Sequence, residues 1–163
     1  MPLNASPNAR RHRSSGFTLI ELVIVLVLLG VLGAVVIPRI TEGSFRDAAF
    51  AEQIATAFRY AQRLAVATGC EVQVAVSSTP STYSVARRSD GTDTSCGTVG
   101  AFTTAIVNPA GGGAFAGTAV GGVTVSQGLS IVFDGQGLPS PNGGSVLLGN
   151  RSIVIEADTG YVR

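Results

Sequence analysis

Residues 16–37 read GFTLIELVIVLVLLGVLGAVVI, and the rest of the chain is organised around this apolar stretch. Of the twenty-one residues in 17–37, seventeen are apolar. At about 1.5 Å per residue, a helix of this length spans about 31 Å, which matches the hydrocarbon core of a membrane. Residues 1–16 are polar and contain three arginines and no acid. The positive-inside tendency therefore places the N-terminus in the cytoplasm and the remainder of the chain outside it.

This apolar stretch admits three interpretations. A cleaved secretory signal has an apolar core of about 7 to 15 residues followed by a small-x-small site, whereas this stretch is longer and has no clear site of that kind. A simple membrane anchor fits the length but leaves Glu21 unexplained, because an acid in an apolar span costs about 2.5 to 3.5 kcal/mol and usually marks a function. The third interpretation gives the acid a role.

Residues 16–40 closely resemble the class III signal of type IV pilins and type II secretion pseudopilins, with glycine before the cut, phenylalanine after it, and TLIEL leading into the apolar run. The resemblance implies that a prepilin peptidase cuts after Gly16 and methylates the new amine of Phe17. It also implies that Glu21 neutralises the N-terminal amine of a neighbouring subunit, and two charges that are costly alone in an apolar bundle become tolerable when paired. Pro38 matches the proline that bends the helix in many pilins, because proline lacks an N–H and its ring clashes with the preceding turn.

A second resemblance lies in the C-terminal third. The phrase FDGQGLP at residues 133–139, an apolar strand pair, and the ending I-x-I-x-x-x-x-G-Y-V at residues 153–162 are similar to the GspH/FimT group of minor pseudopilins and minor pilins. Residues 77–128 lie outside both resemblances.

Composition narrows the function classes. Without the leader, 8 basic residues face 10 acidic ones, a net charge of −2, which offers no broad footprint for nucleic acid or anionic lipid. The mature chain has no histidine and no lysine, so a Ser-His-acid triad, a Cys-His pair, a Schiff-base lysine and a His-bearing metal site are excluded. We therefore predict a structural and interaction protein with no catalytic residues, no cofactor and no metal.

The two cysteines, Cys70 and Cys96, fall on the outer side of the membrane in this topology, where disulfides persist. We predict that they pair and close a ring of about 26 residues, worth about 3 to 4 kcal/mol in the chain-entropy model. Two free buried thiols are the alternative. A metal site is discounted, because there is no C-x-x-C motif and no mature histidine.

The predicted fold class is α+β, a pilin-like fold whose long N-terminal helix packs its outer half on antiparallel β-sheet, in one layer or two. We expect four segments, namely a leader at 1–16, a transmembrane and filament-core helix at 17–37, an amphipathic helix at 38–69, and a periplasmic β-rich domain at 70–163.

The amphipathic helix follows the 3.6-residue period. Gly43 and Ser44 indicate an interruption with a fresh N-cap, and Gly69 is a suitable residue to end the helix. The large apolar residues expected in its core stripe are Phe45, Ile54, Phe58 and Leu64.

Beyond Gly69 the apolar period changes to two. Residues 71–77 and 82–88 predict a hairpin, residues 101–107 predict another strand, and the C-terminal third predicts an antiparallel meander with tight turns.

Two loops leave alternatives open. Asp90 and Asp93 invite a calcium interpretation, but their spacing lacks the regular acid ladder of known calcium loops and also suits an ordinary turn. The glycine-rich residues 108–122 are the least structured part of the domain by composition, and they contain one aromatic, Phe115. Phe115 is either an exposed tip that binds a partner or a side chain tucked onto the core.

Two functions fit the resemblance. The first is a minor pseudopilin of a type II secretion system, held in the inner membrane by one span with a periplasmic domain. It would join other pseudopilins near the tip of the pseudopilus and drive export of folded cargo proteins. The second is a FimT-like minor pilin of a type IV pilus that binds DNA for uptake through Arg87, Arg88, Arg151 and Arg163. Because these arginines are few, they would give weak, salt-sensitive binding to DNA. Nucleic acid therefore ranks below other subunits as a partner. An uncut Gly16 would instead favour an anchored periplasmic module unrelated to filaments.

Overall fold

The structure is a computed structural model that describes residues 17–91 and 95–163, and for residues 34–42 it describes the backbone alone. One helix, α1, spans Leu19–Thr68. The strands that follow it are β1 Val72–Ser78, β2 Ser81–Arg88, β3 Phe102–Ala105, β4 Ala116–Thr118, β5 Val125–Gln127, β6 Leu129–Phe133, β7 Pro139–Ser140, β8 Gly144–Leu148 and β9 Arg151–Ile155. By internal contacts the chain divides into one unit ending at Ile40 and a second unit, Thr41–Arg163.

The strands form two antiparallel sheets. The first has the order β3-β2-β1-β6-β7 with β4 also paired to β2, and the second has the order β5-β8-β9. The predicted α+β class is therefore confirmed, and the sheet is split into two.

Helix α1 ends where the sequence predicted. Gly69 adopts a left-handed φ of 71°, which glycine reaches without a Cβ clash, and its N–H donates to the Ala65 carbonyl over 2.8 Å. The predicted interruption at Gly43 and Ser44 is wrong, because α1 is continuous through both residues. A single glycine inside a helix weakens it by only about 1 kcal/mol relative to alanine, which the long helices on either side can offset.

One face of α1 forms the core with the sheets. Ile54, Phe58 and Ala61 are fully buried, and the Phe58 ring meets the Phe133 ring of β6 edge-on at a centroid distance of 6.4 Å. Phe45 was expected in this stripe, but it is 74% exposed. Among the helix residues from Gly43 onward, the first buried residue is Phe50, five positions after Phe45.

The sheets contribute their inward-facing alternate residues to the same core. Val72, Val74 and Val76 of β1 are buried and the residues between them are partly exposed, as expected for a strand with one face against a core. β1 lies between β2 and β6 in the sheet, and its Val74 pairs with Val85 on one side and Ile131 on the other.

The predicted C-terminal meander is only partly correct, because β5 and β6 follow each other in the chain but lie in different sheets. The chain changes sheets at Gly128. A Cβ placed there would lie 2.4 Å from the Val76 carbonyl oxygen, so the crossing needs glycine. Local alternation cannot reveal such a crossing, since both strands keep their period of two.

The glycine-rich residues 108–122 are partly ordered against the first sheet. β4 pairs with β2, and Phe115 is buried with its ring stacked on Tyr60 at a centroid distance of 4.9 Å. Its backbone also bridges two neighbours, because the Phe115 N–H donates to Ile106 and its carbonyl accepts from Val85. The interpretation of Phe115 as an exposed partner-binding tip is therefore wrong.

Candidate assembly and interaction sites

The start of α1 carries a cap that uses the predicted assembly residue. Thr18 precedes the helix, its carbonyl accepts from the Leu22 N–H over 3.2 Å, and its hydroxyl oxygen lies 3.3 Å from the Glu21 N–H, which donates to it. This is the Thr-x-x-Glu arrangement of a capping box, and Glu21 in the first turn is also favoured by the helix dipole. Phe17 is 84% exposed ahead of it. The predicted cleavage position, Gly16, lies outside the described residues.

The first turns of α1 expose almost all of their apolar side chains. In the described part of this segment, twelve large apolar side chains besides Phe17 are between 43% and 81% exposed: Leu19, Ile20, Leu22, Val23, Ile24, Val25, Leu26, Val27, Leu28, Leu29, Val31 and Leu32. A contiguous apolar surface of this extent marks an interaction site or a membrane contact.

Within the described residues, no helix combines the length and hydropathy needed for a membrane crossing. The predicted span 17–37 and the predicted kink at Pro38 both reach into residues 34–42, whose side chains lie outside the description. The backbone is helical at Pro38. The membrane span and the role of Pro38 stay predictions.

A disulfide joins the end of α1 to the loop after β2. Cys70 and Cys96 are bonded, with their Cα atoms 5.0 Å apart and 26 residues between them in sequence. The predicted pairing is confirmed, and the alternative of two free thiols is wrong. The bond fixes the loop between β2 and β3 to the residues that link α1 to β1.

Arg88, at the end of β2, is held by three partners. Its Nε donates to Glu71 Oε2 over 2.8 Å, a second guanidinium N–H donates to the same oxygen, and a third donates to the Gly100 carbonyl over 3.0 Å. The guanidinium also lies 4.6 Å from the ring centroid of Phe102, within cation–π range. These contacts tie the loop after β2 to the sheet.

A cavity of about 370 Å³ lies beside this cluster. Its walls are the C-terminal turns of α1, the first residues of β1, the end of β2, the disulfide and the residues that end β3. Its lining includes Tyr60, Leu64, Glu71, Val72, Arg87, Arg88 and Ile106.

The four arginines of the DNA hypothesis are divided between β2, the start of β9 and the C-terminal residue. Arg87 and Arg88 line the cavity on the first sheet, whereas Arg151 starts β9 in the second sheet and lines a separate depression with Ser44 and Asp47. Arg163 pairs with Glu156, with 2.9 Å between Nε and Oε1. The charges of Arg88 and Arg163 thus have carboxylate partners, which weakens the case for a phosphate-binding patch.

The hydrogen bonds of Asp90 favour an ordinary turn over a calcium site. Its Oδ2 accepts from the Thr98 N–H over 3.0 Å and from the Val99 N–H over 3.1 Å. Burial of the carboxyl raises its pKa, but the hydrogen bonds from the Val99 and Thr98 amides and from its own amide, together with the Arg88 charge, outweigh burial and hold the pKa below its ordinary value. Asp93, the second residue of the calcium hypothesis, lies outside the described residues.

Gln62 is a residue whose role the sequence analysis missed. From the side of α1, its Nε2 donates to the Gly137 carbonyl over 3.1 Å and to the Thr159 carbonyl over 2.8 Å. One side chain thus joins the FDGQGLP turn to the turn that precedes Val162, which forms an antiparallel bridge with Ile155. The one hint in the sequence is a polar residue directly after the core position Ala61.

An exposed apolar helix start with an acid in its first turn, followed by a disulfide-bonded two-sheet domain, defines a pilin-like subunit. Two family models match the chain. One is the prokaryotic N-terminal methylation motif, over residues 11–37, and the other is the type II transport protein GspH, over residues 51–160. The chain belongs to this GspH family, which confirms both resemblances noted in the sequence. No curated protein and no solved structure gives a significant match.

Proposed function

We propose that this chain is a minor pseudopilin of a type II protein secretion system. It is made as a prepilin, loses its leader by cleavage after Gly16, and is methylated on Phe17. It then leaves the inner membrane for the periplasmic pseudopilus, near the tip, where it helps drive export of folded proteins. The match to the GspH family and to the methylation motif supports this assignment.

The observation that carries the proposal is the apolar surface at the start of α1. These side chains are exposed in the isolated chain, and burying them releases about 25 cal/mol for each Å² of apolar surface removed from water. A membrane before assembly and the helices of neighbouring subunits after assembly would both cover this surface. One helix can therefore serve as anchor and as filament core.

Glu21 supplies specificity in this proposal. It is the acid in the first turn of α1, so in the filament it would lie among apolar side chains. The new amine of Phe17 on an adjacent subunit is the cation that would neutralise it. Removing one partner from such a buried pair costs about 3 to 5 kcal/mol, because the other charge is left uncompensated. Subunits out of register would incur the same cost, so the pair selects the register.

The test is complementation of a strain that lacks this gene. The variants are Glu21→Gln, which keeps the size and removes the charge, and Gly16→Val, which alters the cleavage position. Glu52→Gln is the matched control, since Glu52 is an exposed acid elsewhere on α1. Mass spectrometry of the N-terminus reports cleavage and methylation, and the share of exoprotein in the culture medium reports secretion.

We expect Glu21→Gln to be cleaved and methylated but to leave exoprotein in the periplasm, Gly16→Val to remain uncut, and Glu52→Gln to secrete as the wild type does. Normal secretion by Glu21→Gln would contradict the assembly role of the acid. If a deletion strain secretes normally but loses pili or DNA uptake, the protein should instead be assigned to a type IV pilus. If the wild-type chain keeps its leader, the protein is a subunit of neither the pseudopilus nor a type IV pilus.

A further inference from the structure

The cavity beside the disulfide combines apolar walls with a cationic edge. Its volume of about 370 Å³ lies at the small end of the range of about 300 to 1,000 Å³ typical of ligand sites. Leu64 from α1, Val72 from β1 and Ile106 after β3 provide apolar lining from three directions. The residues of this cavity all belong to the unit Thr41–Arg163.

Tyr60 adds a rigid aromatic surface to the cavity. Its ring is stacked on the buried Phe115 with an interplanar angle of 16°, so its orientation is set by packing. Within the part of the chain that the structure describes, its hydroxyl makes no hydrogen bond to another residue. The hydroxyl can therefore donate to a ligand.

Among the described residues, the charged lining of the cavity consists of Arg87, Arg88 and Glu71. Arg88 is committed to Glu71, to the Gly100 carbonyl and to the Phe102 ring. Arg87 adds a second guanidinium. Since a guanidinium offers five N–H donors in a planar fork, it can bind a carboxylate alongside contacts it already makes.

Glu71 also offers an acceptor. Both bonds from Arg88 fall on Oε2, and among the described residues no hydrogen bond falls on Oε1. A ligand that presents an N–H next to its carboxylate would satisfy this oxygen. The cavity thus holds donors for a monoanion, an acceptor for an amide and apolar walls for one side chain.

We propose that this cavity binds the C-terminal residue of a peptide chain, with an apolar or aromatic side chain against Tyr60 and Leu64. Its α-carboxylate pairs with Arg87, and its amide N–H donates to Glu71. The volume is too small for a long acyl chain. This proposal stands apart from filament assembly, which rests on the start of α1.

The test uses the full chain in lipid nanodiscs, with empty nanodiscs as the blank. The probe is N-acetyl-4-fluorophenylalanine, and its primary amide is the uncharged analogue. Binding is followed by 19F line broadening of each ligand. The variants are Arg87→Gln, Arg87→Lys and the matched control Arg151→Gln, which removes a guanidinium outside the cavity. A further sample of the wild type is reduced with dithiothreitol, which opens the Cys70–Cys96 wall.

We expect the acid to bind the wild-type protein about tenfold or more tightly than the amide, since a hydrogen bond to a charged group supports that ratio. Arg87→Gln should bind the amide as the wild type does and lose the preference for the acid, Arg87→Lys should keep part of that preference, and Arg151→Gln should keep all of it. Reduction should weaken both ligands.

Three results would overturn the proposal. The first is equal binding of acid and amide to the wild type, and the second is no binding of either ligand. The third is an equal loss of preference in Arg87→Gln and Arg151→Gln. If Arg87→Gln does not fold, the contrast between acid and amide in the wild type and in Arg87→Lys still decides the question.

Discussion

Arg88 and Glu71 are joined by a hydrogen bond of 2.8 Å from the guanidinium Nε to the carboxylate Oε2. This contact links the end of β2 to the residue before β1, at the point where the disulfide also attaches the loop. The side chain of Arg88 is 24% exposed and that of Glu71 is 42% exposed. The pair is thus better shielded than the Arg59–Glu52 pair on α1, whose side chains are 43% and 76% exposed with 3.8 Å between nitrogen and oxygen.

This difference predicts unequal coupling energies. Double-mutant cycles with glutamine at both positions should give about 1 kcal/mol for Arg88–Glu71 and less than about 0.5 kcal/mol for Arg59–Glu52, because exposed pairs are screened by water. Urea unfolding of the domain Thr41–Arg163, followed by circular dichroism, measures both. Equal coupling in the two pairs would show that the first is no better than a surface contact.

Gln62 should contribute more stability than an ordinary helical glutamine. Gln62→Ala removes two hydrogen bonds to backbone carbonyls and should lower the free energy of unfolding by about 1 to 2 kcal/mol. Gln53→Ala, on an exposed position of the same helix, is the control for helix propensity and should stay within about 0.5 kcal/mol of the wild type. A similar cost for both substitutions would rule out the joining role of Gln62.

The lowered pKa of the Asp90 carboxyl predicts that the folded protein loses stability in acid. Its pKa is lowered from 3.8 in the folded chain, so the unfolded chain binds the proton more readily. The stabilisation is therefore fully present above the unfolded pKa and is lost as the pH falls through the lower folded pKa. The difference in unfolding free energy between the wild type and Asp90→Asn should thus be constant near neutral pH and shrink below about pH 4. A difference that persists unchanged in acid would contradict the assignment.

The dispersed arginines predict poor DNA binding. Fluorescence anisotropy with labelled duplex DNA should show no binding at about micromolar protein concentration and physiological salt, because few phosphates can be neutralised together. The domain from residue 39 onward is compared with a variant that carries glutamine at the four arginines of the DNA hypothesis. Micromolar, salt-sensitive binding that the variant loses would instead support the DNA-uptake minor pilin.

Several features followed from local sequence patterns because their causes are local. The end of α1 at Gly69 depends on one left-handed residue, and the β1–β2 hairpin depends on a period of two around a short turn. The two cysteines could be paired with each other because the chain offers no third.

Other features depend on contacts between residues distant in sequence. The burial of Phe115 depends on the stacking of its ring on Tyr60, which lies 55 residues earlier in the chain. The exposure of Phe45 likewise depends on which residues of α1 the rest of the domain covers. The local composition around Phe45 does not show whether another segment covers that side chain.

By itself the sequence determined the class of the protein, because the basic N-terminal residues, the acid in the apolar run and the strand periods are properties of consecutive residues. Tertiary structure alone decided which charges are neutralised, which sheet each late strand joins, and how Arg87, Glu71 and Tyr60 come to line one cavity. Those outcomes depend on burial and on distances of a few ångström between segments that the chain order keeps apart.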